Sequence, residues 1–366
     1  MVRNLVGLGD MALKWWDGLY SRCCDIIANP GDYTESCRGK VLATLFYEPS
    51  TRTNFSFQSA MLRLGGSVFG FSDPMGTSVA KGETLADTIR IAAAYSDTIV
   101  MRSPQEGAAA AAALYSEVPI INAGDGSHFH PTQTLADLTT IAQKRGSIGG
   151  LRVGICGDLK HGRTVHSLVE ALSMFEGISY SLISPDALSM PEYILRSIRA
   201  CGHGFTEMRN LPEAIPGLDI LYMTRIQRER FVNASEYERL KNAYILTRDV
   251  LADAKADMLV MHPLPRYSEI AADVDADPRA VYFEQARFGM YIRMALLYEF
   301  ANLPRLTQPL PDNTAGFMCC NPACVTQSEQ YLPQLCEESA AGDKVKRCIY
   351  CDAESSIADG VWRIES

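Results

Sequence analysis

Two hydrophobic rhythms run along the chain. Leu13, Trp16, Leu19, Cys23 and Ile26 recur at helical spacing behind Asp10, a residue suited to capping a helix, and Pro30-Gly31 ends the run. Short continuous apolar runs, readable as buried strands, then take turns with helical patterns. Strands are predicted at 41–46, 98–102 and 119–122, with helices at 51–64, 106–116 and 132–144. Such alternation predicts a parallel α/β sheet. Glycines between 146 and 150 interrupt it, and new strand runs at 151–157, 180–183, 218–223 and 258–261 predict a second sheet. An apolar helical pattern at 290–300 reads as a closing helix before the proline-rich stretch 303–311, beyond which the composition changes completely.

The expected fold is therefore two parallel-sheet α/β domains, 1–136 and 137–284, with a helix at 285–302 packing back on the first. A small C-terminal β domain with its linker occupies 303–366. With 366 residues and 47% apolar content, the chain can bury sizeable cores. A net charge of -9 offers no basic face to a nucleic-acid backbone, so anions must be bound by local arginines. Asp10, Lys14 and Asp17 break up the N-terminal apolar residues, and no apolar run approaches a membrane span. A cytoplasmic location is expected by default. Six of the eleven cysteines fall in the last 48 residues, which in a cytoplasmic chain argues for metal rather than disulfides.

Candidate chemistry gathers where predicted strands end. Ser50, Thr51, Arg52 and Thr53 follow the first strand and open a helix. Their backbone N–H groups, the positive helix end and a guanidinium suit an anion such as phosphate. Hydroxyl residues also cap helices ordinarily. A cation in the first turn is unfavourable without an anion beside it, which shifts the reading toward a ligand. A Gly- and Ser-containing loop at 74–84 carries Thr77, Ser78 and Lys81, and a solvated surface loop would look the same. Arg102 ends a strand at the carboxyl edge of the sheet, where α/β proteins bind ligands. His130 and Gln133 enter a helix through Pro131 and can bond a carbonyl and an amide. In the second half, Arg163 follows one strand, Arg225 and Gln227 another, and His262-Pro263-Leu264-Pro265 forms a proline-fixed turn at a third. Each arginine alone could equally be a surface residue in a salt bridge.

Taken together, FYEPSTRT, SVAKGET, MRSPQEGA, HPTQTLADL, GDLKHGRTVHS, YMTRIQRER and HPLPR, in this order and spacing, resemble the aspartate carbamoyltransferase family over residues 10–302. The resemblance implies carbamoyl transfer from carbamoyl phosphate to L-aspartate, in pyrimidine biosynthesis. It implies that Ser50, Thr51, Arg52 and Thr53 bind the phosphate with Arg102, and that His130, Thr53 and Arg102 polarise the carbonyl oxygen. Gln133 would hold the amide. Arg163, Arg225 and Gln227 would bind the aspartate carboxylates, with Leu264 and Pro265 orienting the amine. Lys81, with Thr77 or Ser78, would reach a neighbouring subunit's site, making the active unit a homotrimer or a dimer of trimers. Domain 1–136 would then bind carbamoyl phosphate and 137–284 aspartate. No cofactor is expected in the chemical step, and no nucleic acid or membrane as partner.

Two departures stand out. The family's loop serine lies four residues before the lysine, where this chain has Thr77, with Ser78 next to it. His128-Phe129 replaces the commoner polar pair before HPTQ, a change expected to matter little. In the tail, Cys319-x4-Cys324 and Cys348-x2-Cys351, separated by 23 residues, have the pairing of a structural zinc site, with Cys320 able to stand in for Cys319. The tail resembles the zinc domain of the family's regulatory chain, without the nucleotide-binding domain that precedes it there, so no nucleotide feedback is expected through that route. Ornithine or another amino acid as acceptor is the nearest alternative. An inactive zinc-containing assembly protein or nucleic-acid adaptor is a remote one.

Overall fold

The computed structural model describes residues 2–7, 9, 11–226, 235, 237–238, 244–339, 345–358 and 361–364. They form two compact units, 1–132 with 290–366, and 133–289. Helix α1 (Leu13–Ala28) buries the predicted stripe of Trp16, Leu19, Cys23 and Ile26. Its N-cap position is Ala12, which makes no side-chain cap bond, and Asp10 lies outside the described residues.

The first unit is built from β1 (Val41–Phe46), α2 (Thr51–Arg63), β2 (Ser67–Phe71), α3 (Leu85–Tyr95), β3 (Thr98–Ser103), α4 (Ala108–Tyr115) and β4 (Ile120–Asp125), leading into α5 (Pro131–Arg145). All four strands are parallel, in the order β2-β1-β3-β4. Five of the six β1 residues are buried, as a strand covered on both faces requires. Register aligns the carboxyl ends, with Phe46 opposite Arg102 and Ser103 opposite Asp125. The closing helix, Tyr282–Phe300, returns to this unit, where the Arg293 guanidinium donates to Ser56 Oγ at 2.9 Å and to the Thr132 carbonyl at 3.2 Å. Strand β2 escaped the sequence reading because it lies at the sheet edge, half exposed, and lacks a continuous apolar run.

The second unit carries β5 (Arg152–Cys156), α6 (Arg163–Leu172), β6 (Ser179–Ile183), α7 (Glu192–Ala200), β7 (Gly204–Met208), β8 (Ile220–Met223) and β9 (Leu259–Met261). Its five strands are parallel in the order β7-β6-β5-β8-β9.

The tail forms an antiparallel sheet of β10 (Cys336–Glu338), β11 (Val345–Cys348), β12 (Glu354–Ala358) and β13 (Val361–Ile364). It has little interior of its own. Phe317, Val325, Leu332 and Tyr350 share one buried cluster with Ile89, Ala92 and Ala93 of α3 and with the alanines of α4. Six consecutive alanines in α4 keep its surface low enough for a second layer to pack closely. Gly107, just before α4, has φ +82, and a Cβ there would sit 2.5 Å from the Tyr350 carbonyl. Conformation and close approach both require glycine at this contact.

Candidate active site

At the first unit's sheet edge, β1 ends at Phe46, Tyr47-Glu48-Pro49-Ser50 lead on from it, and α2 begins at Thr51. Ser50 occupies the N-cap position without a side-chain cap bond, and the first turn holds no acidic residue. The hydroxyl is thus not spent on the helix, and the positive end carries Arg52 with no acidic side chain in that turn to offset it. Thr53 is buried. From the adjacent strand end, Arg102 pairs with Glu48 and donates to the Ala123 carbonyl at 3.4 Å. Its Nε–H is buried without an acceptor among the described residues. An uncommitted guanidinium donor in a buried setting calls for a further acceptor, and an anion oxygen would supply one.

The turn after β4 is organised by Asp125, which is 2% exposed. Its carboxylate accepts from the N–H groups of Gly107 and Phe129 at 2.9 Å each, and from the Asn122 amide at 3.0 Å. His128 lies between two carboxylates, its Nδ1 3.1 Å from Asp125 and its Nε2 2.9 Å from Asp352 of the tail. Burial alone would lower the His128 pKa, but hydrogen bonds with Asp125 and Asp352 outweigh it and raise the value to about 10. The imidazole is therefore a cation at neutral pH, and it ties the tail to the turn. This is more than its replacement of a polar pair suggested. His130, buried, follows, with its Nδ1 3.4 Å from the Thr132 hydroxyl.

The loop before α3 folds as two short 3-10 turns, Pro74–Gly76 and Ser78–Lys81. The Thr77 hydroxyl donates to the Pro74 carbonyl at 2.7 Å and accepts from Val79 N–H at 3.2 Å. Among the described residues, the Ser78 hydroxyl makes no hydrogen bond and Lys81 no ion pair. Lys81 is exposed, and no described contact joins it to Ser50, Arg102 or His130.

In the second unit, β5 and β8 bring their carboxyl ends side by side, with Cys156 opposite Met223. Gly157, at φ +127, makes this possible, since a Cβ there would lie 2.3 Å from the Thr224 carbonyl. Thr224 Oγ1 then accepts from Asp158 N–H at 3.2 Å. Arg163 heads α6 and Arg225 follows Thr224, its guanidinium 5.5 Å from the Tyr267 ring centroid, so two cations leave neighbouring strand ends. Gln227 lies outside the described residues. Beyond β9, Leu264 N–H donates to His262 Nδ1 at 2.7 Å, and His262 Nε2 sits 2.9 Å from Glu269. Leu264 has φ +54 and its bond to Pro265 is cis. Gln133 donates its amide to Asp137, which sequence reasoning passed over although it stands one helical turn on.

Four buried tail cysteines, Cys319, Cys324, Cys348 and Cys351, place their sulfurs within 4.8 Å of one another and could hold a metal ion. The Cys319–Cys351 and Cys324–Cys348 separations are 3.7 and 4.0 Å. A tetrahedral ion with metal–sulfur bonds of about 2.3 Å needs sulfurs about 3.8 Å apart, so the set fits. Cys320, half-buried, turns its sulfur to the Met318 carbonyl, and Cys336 pairs in register with Cys348; neither belongs to the cluster.

Residues 3–143 match the family model for the aspartate/ornithine carbamoyltransferase carbamoyl-P binding domain. Residues 149–300 match the one for the Asp/Orn binding domain. The chain belongs to the aspartate/ornithine carbamoyltransferase family. Within it, an aspartate carbamoyltransferase catalytic subunit of Clostridium botulinum is 54% identical over 296 residues, 81% of this chain and 96% of that protein. One from Clostridium kluyveri is 50% identical over 301 residues, 82% of this chain and 98% of its own length. The solved catalytic subunit of M. jannaschii aspartate transcarbamoylase superposes with TM-score 0.76 at 45% identity, over 81% of this chain and 97% of that one. The Trypanosoma cruzi enzyme, solved with carbamoyl phosphate and aspartate, gives 0.75 at 39% identity, over 81% and 95%. Both family matches end by residue 300, before the tail begins. Among the described residues no helix is long and apolar enough to cross a membrane.

Proposed function

We propose that this chain transfers the carbamoyl group of carbamoyl phosphate to the amine of L-aspartate, giving N-carbamoyl-L-aspartate and phosphate for pyrimidine biosynthesis. The observation that carries the phosphate half is the uncommitted Arg102 Nε beside an uncapped helix start. Ser50, Thr51, Arg52 and Thr53 hold the phosphate with Arg102. Thr53, Arg102 and His130 face the carbonyl oxygen, where attack by the amine develops negative charge. The Gln133 amide accepts from the carbamoyl nitrogen. On the second unit, Arg163 and Arg225, with Gln227, bind the two carboxylates of aspartate, and the Leu264 and Pro265 backbone orients its amine. An acceptor with a cationic side chain would meet arginines there, which favours aspartate over ornithine.

The chemistry needs no covalent intermediate: neutral amine attacks the carbamoyl carbon, the bond to phosphate oxygen breaks, and the departing phosphate takes the amine proton. The working arrangement is a trimer in which Lys81 and Ser78 enter a neighbouring subunit's site, supported by a lysine with no ion pair among its own described residues. Ser78 is preferred over Thr77 because the Thr77 hydroxyl already caps its own turn. Domain division follows the substrates, 1–136 for carbamoyl phosphate, 137–284 for aspartate and 303–366 for a zinc site held by the four clustered cysteines. Zinc there would cross-link the tail and takes no part in the reaction.

The test is calorimetry with N-(phosphonacetyl)-L-aspartic acid, the compound bound in a solved T. cruzi neighbour. Tight binding is expected to be lost in Arg102→Ala and weakened in Arg225→Ala. Binding equal in both variants and the parent protein would overturn the assignment.

A further inference from the structure

We propose that the cysteine-bearing tail is a positioning element for the carbamoyl phosphate half-site: it fixes the start of α3 behind the Lys81 loop and the turn that delivers His130. The inference rests on the functional reading above and assigns its support to residues outside both family matches, Glu329, Tyr331 and Asp352.

Three contacts carry it. Both Glu329 carboxylate oxygens accept from Leu85 N–H at 3.3 Å, and the Tyr331 hydroxyl accepts from Ala86 N–H at 2.8 Å. These are the first two residues of α3, whose N–H groups have no partner inside the helix. A carboxylate there also meets the positive helix end. Thr84 closes the same turn by accepting from Asp87 N–H at 3.2 Å, so the chain between Lys81 and the helix is only two residues long before it is held. Separately, Asp352 grips His128, whose other nitrogen meets Asp125, and Asp125 holds the Phe129 amide one residue before His130. Tyr350, packed on Gly107, and Cys351 adjoin Asp352, so the cysteine cluster sets where that carboxylate stands. The tail thus clamps two separate loops of the phosphate-binding unit, and each loop bears a residue assigned to the reaction.

Amide hydrogen exchange on the intact, metal-loaded protein without substrates tests this. Glu329→Gln with Tyr331→Phe is expected to raise exchange at Leu85 and Ala86, and across 77–84, about tenfold. Asp352→Asn, which tolerates the left-handed backbone at φ 56, is expected to do so at Phe129. Lys346→Gln, at the tail ion pair with Glu338, leaves both segments unchanged. Under steady-state assay the double variant raises KM about five- to tenfold with unaltered metal content. Unchanged exchange at these amides in variants that keep their metal would overturn the proposal, even if the parent enzyme is fully active. Absent carbamoyl transfer with raised exchange would leave the clamp standing and remove the functional reading instead.

Discussion

Gln133 donates its side-chain amide to Asp137 Oδ1 at 2.7 Å, and the same carboxylate accepts from Gln285 at 2.6 Å and from the Tyr222 hydroxyl at 2.9 Å. Gln285 in turn accepts from His262 N–H at 3.0 Å. Asp137 is fully buried and accepts from all three donors, which fixes the Gln133 amide nitrogen and leaves the amide oxygen for a ligand. Asp137→Asn would set an NH2 group against one of these donors. The expected result is a 10- to 100-fold drop in kcat/KM for carbamoyl phosphate, a loss of about 1.4–2.8 kcal/mol. Steady-state kinetics at parental levels would contradict it.

Arg225→Ala removes one of the two cations that leave adjacent strand ends. KM for aspartate should rise about 100-fold while affinity for carbamoyl phosphate changes little, as loss of a charge-assisted carboxylate contact predicts. Initial rates with each substrate varied in turn separate the two.

Acid should weaken the second unit through Glu269. Burial alone would raise its pKa, but hydrogen bonds from His262 and from backbone N–H groups including that of Tyr267 hold it below the usual 4.5. A depressed folded pKa means the stabilisation is present above pH 4.5 and is lost as pH falls through the folded value. Glu269→Gln should lower stability at pH 7 by about 1 kcal/mol and flatten the decline below pH 4.5. Urea unfolding across pH 3–7 measures both.

Metal analysis should find one zinc per chain, and Cys324→Ser or Cys348→Ser should abolish it. Because the cysteines share a core with α3 and α4, the loss should destabilise the whole first unit rather than release a tail. A single shifted unfolding transition is expected; a tail that unfolds separately would oppose this.

The strands of both sheets were legible because buried parallel strands write themselves as continuous apolar runs, as in 41–46 and 218–223. Edge strands β2 and β7 were not, since three of the five residues in each are exposed, none is buried, and their apolar residues are interrupted. The candidate residues Arg102 and Arg163 could be placed at strand ends from sequence position, and the structure puts them there, whereas their proposed roles came from the motif resemblance. Asp125, Asp137 and His128 could not, because their importance lies in partners distant in sequence or on another helical turn. The cysteine spacing pointed to a metal site, and the structure chose Cys319 over Cys320 by turning the Cys320 sulfur away. That the tail lacks a separate core had no sequence signal beyond the alanine run of α4.

The central claim is the acceptor, and a carbamoylation assay with purified protein, carbamoyl phosphate, and aspartate or ornithine side by side tests it most directly. Stoichiometric phosphate and N-carbamoyl-L-aspartate with aspartate, and no product with ornithine, is the predicted result. Preferential carbamoylation of ornithine, or no transfer to either by metal-loaded protein, would contradict it.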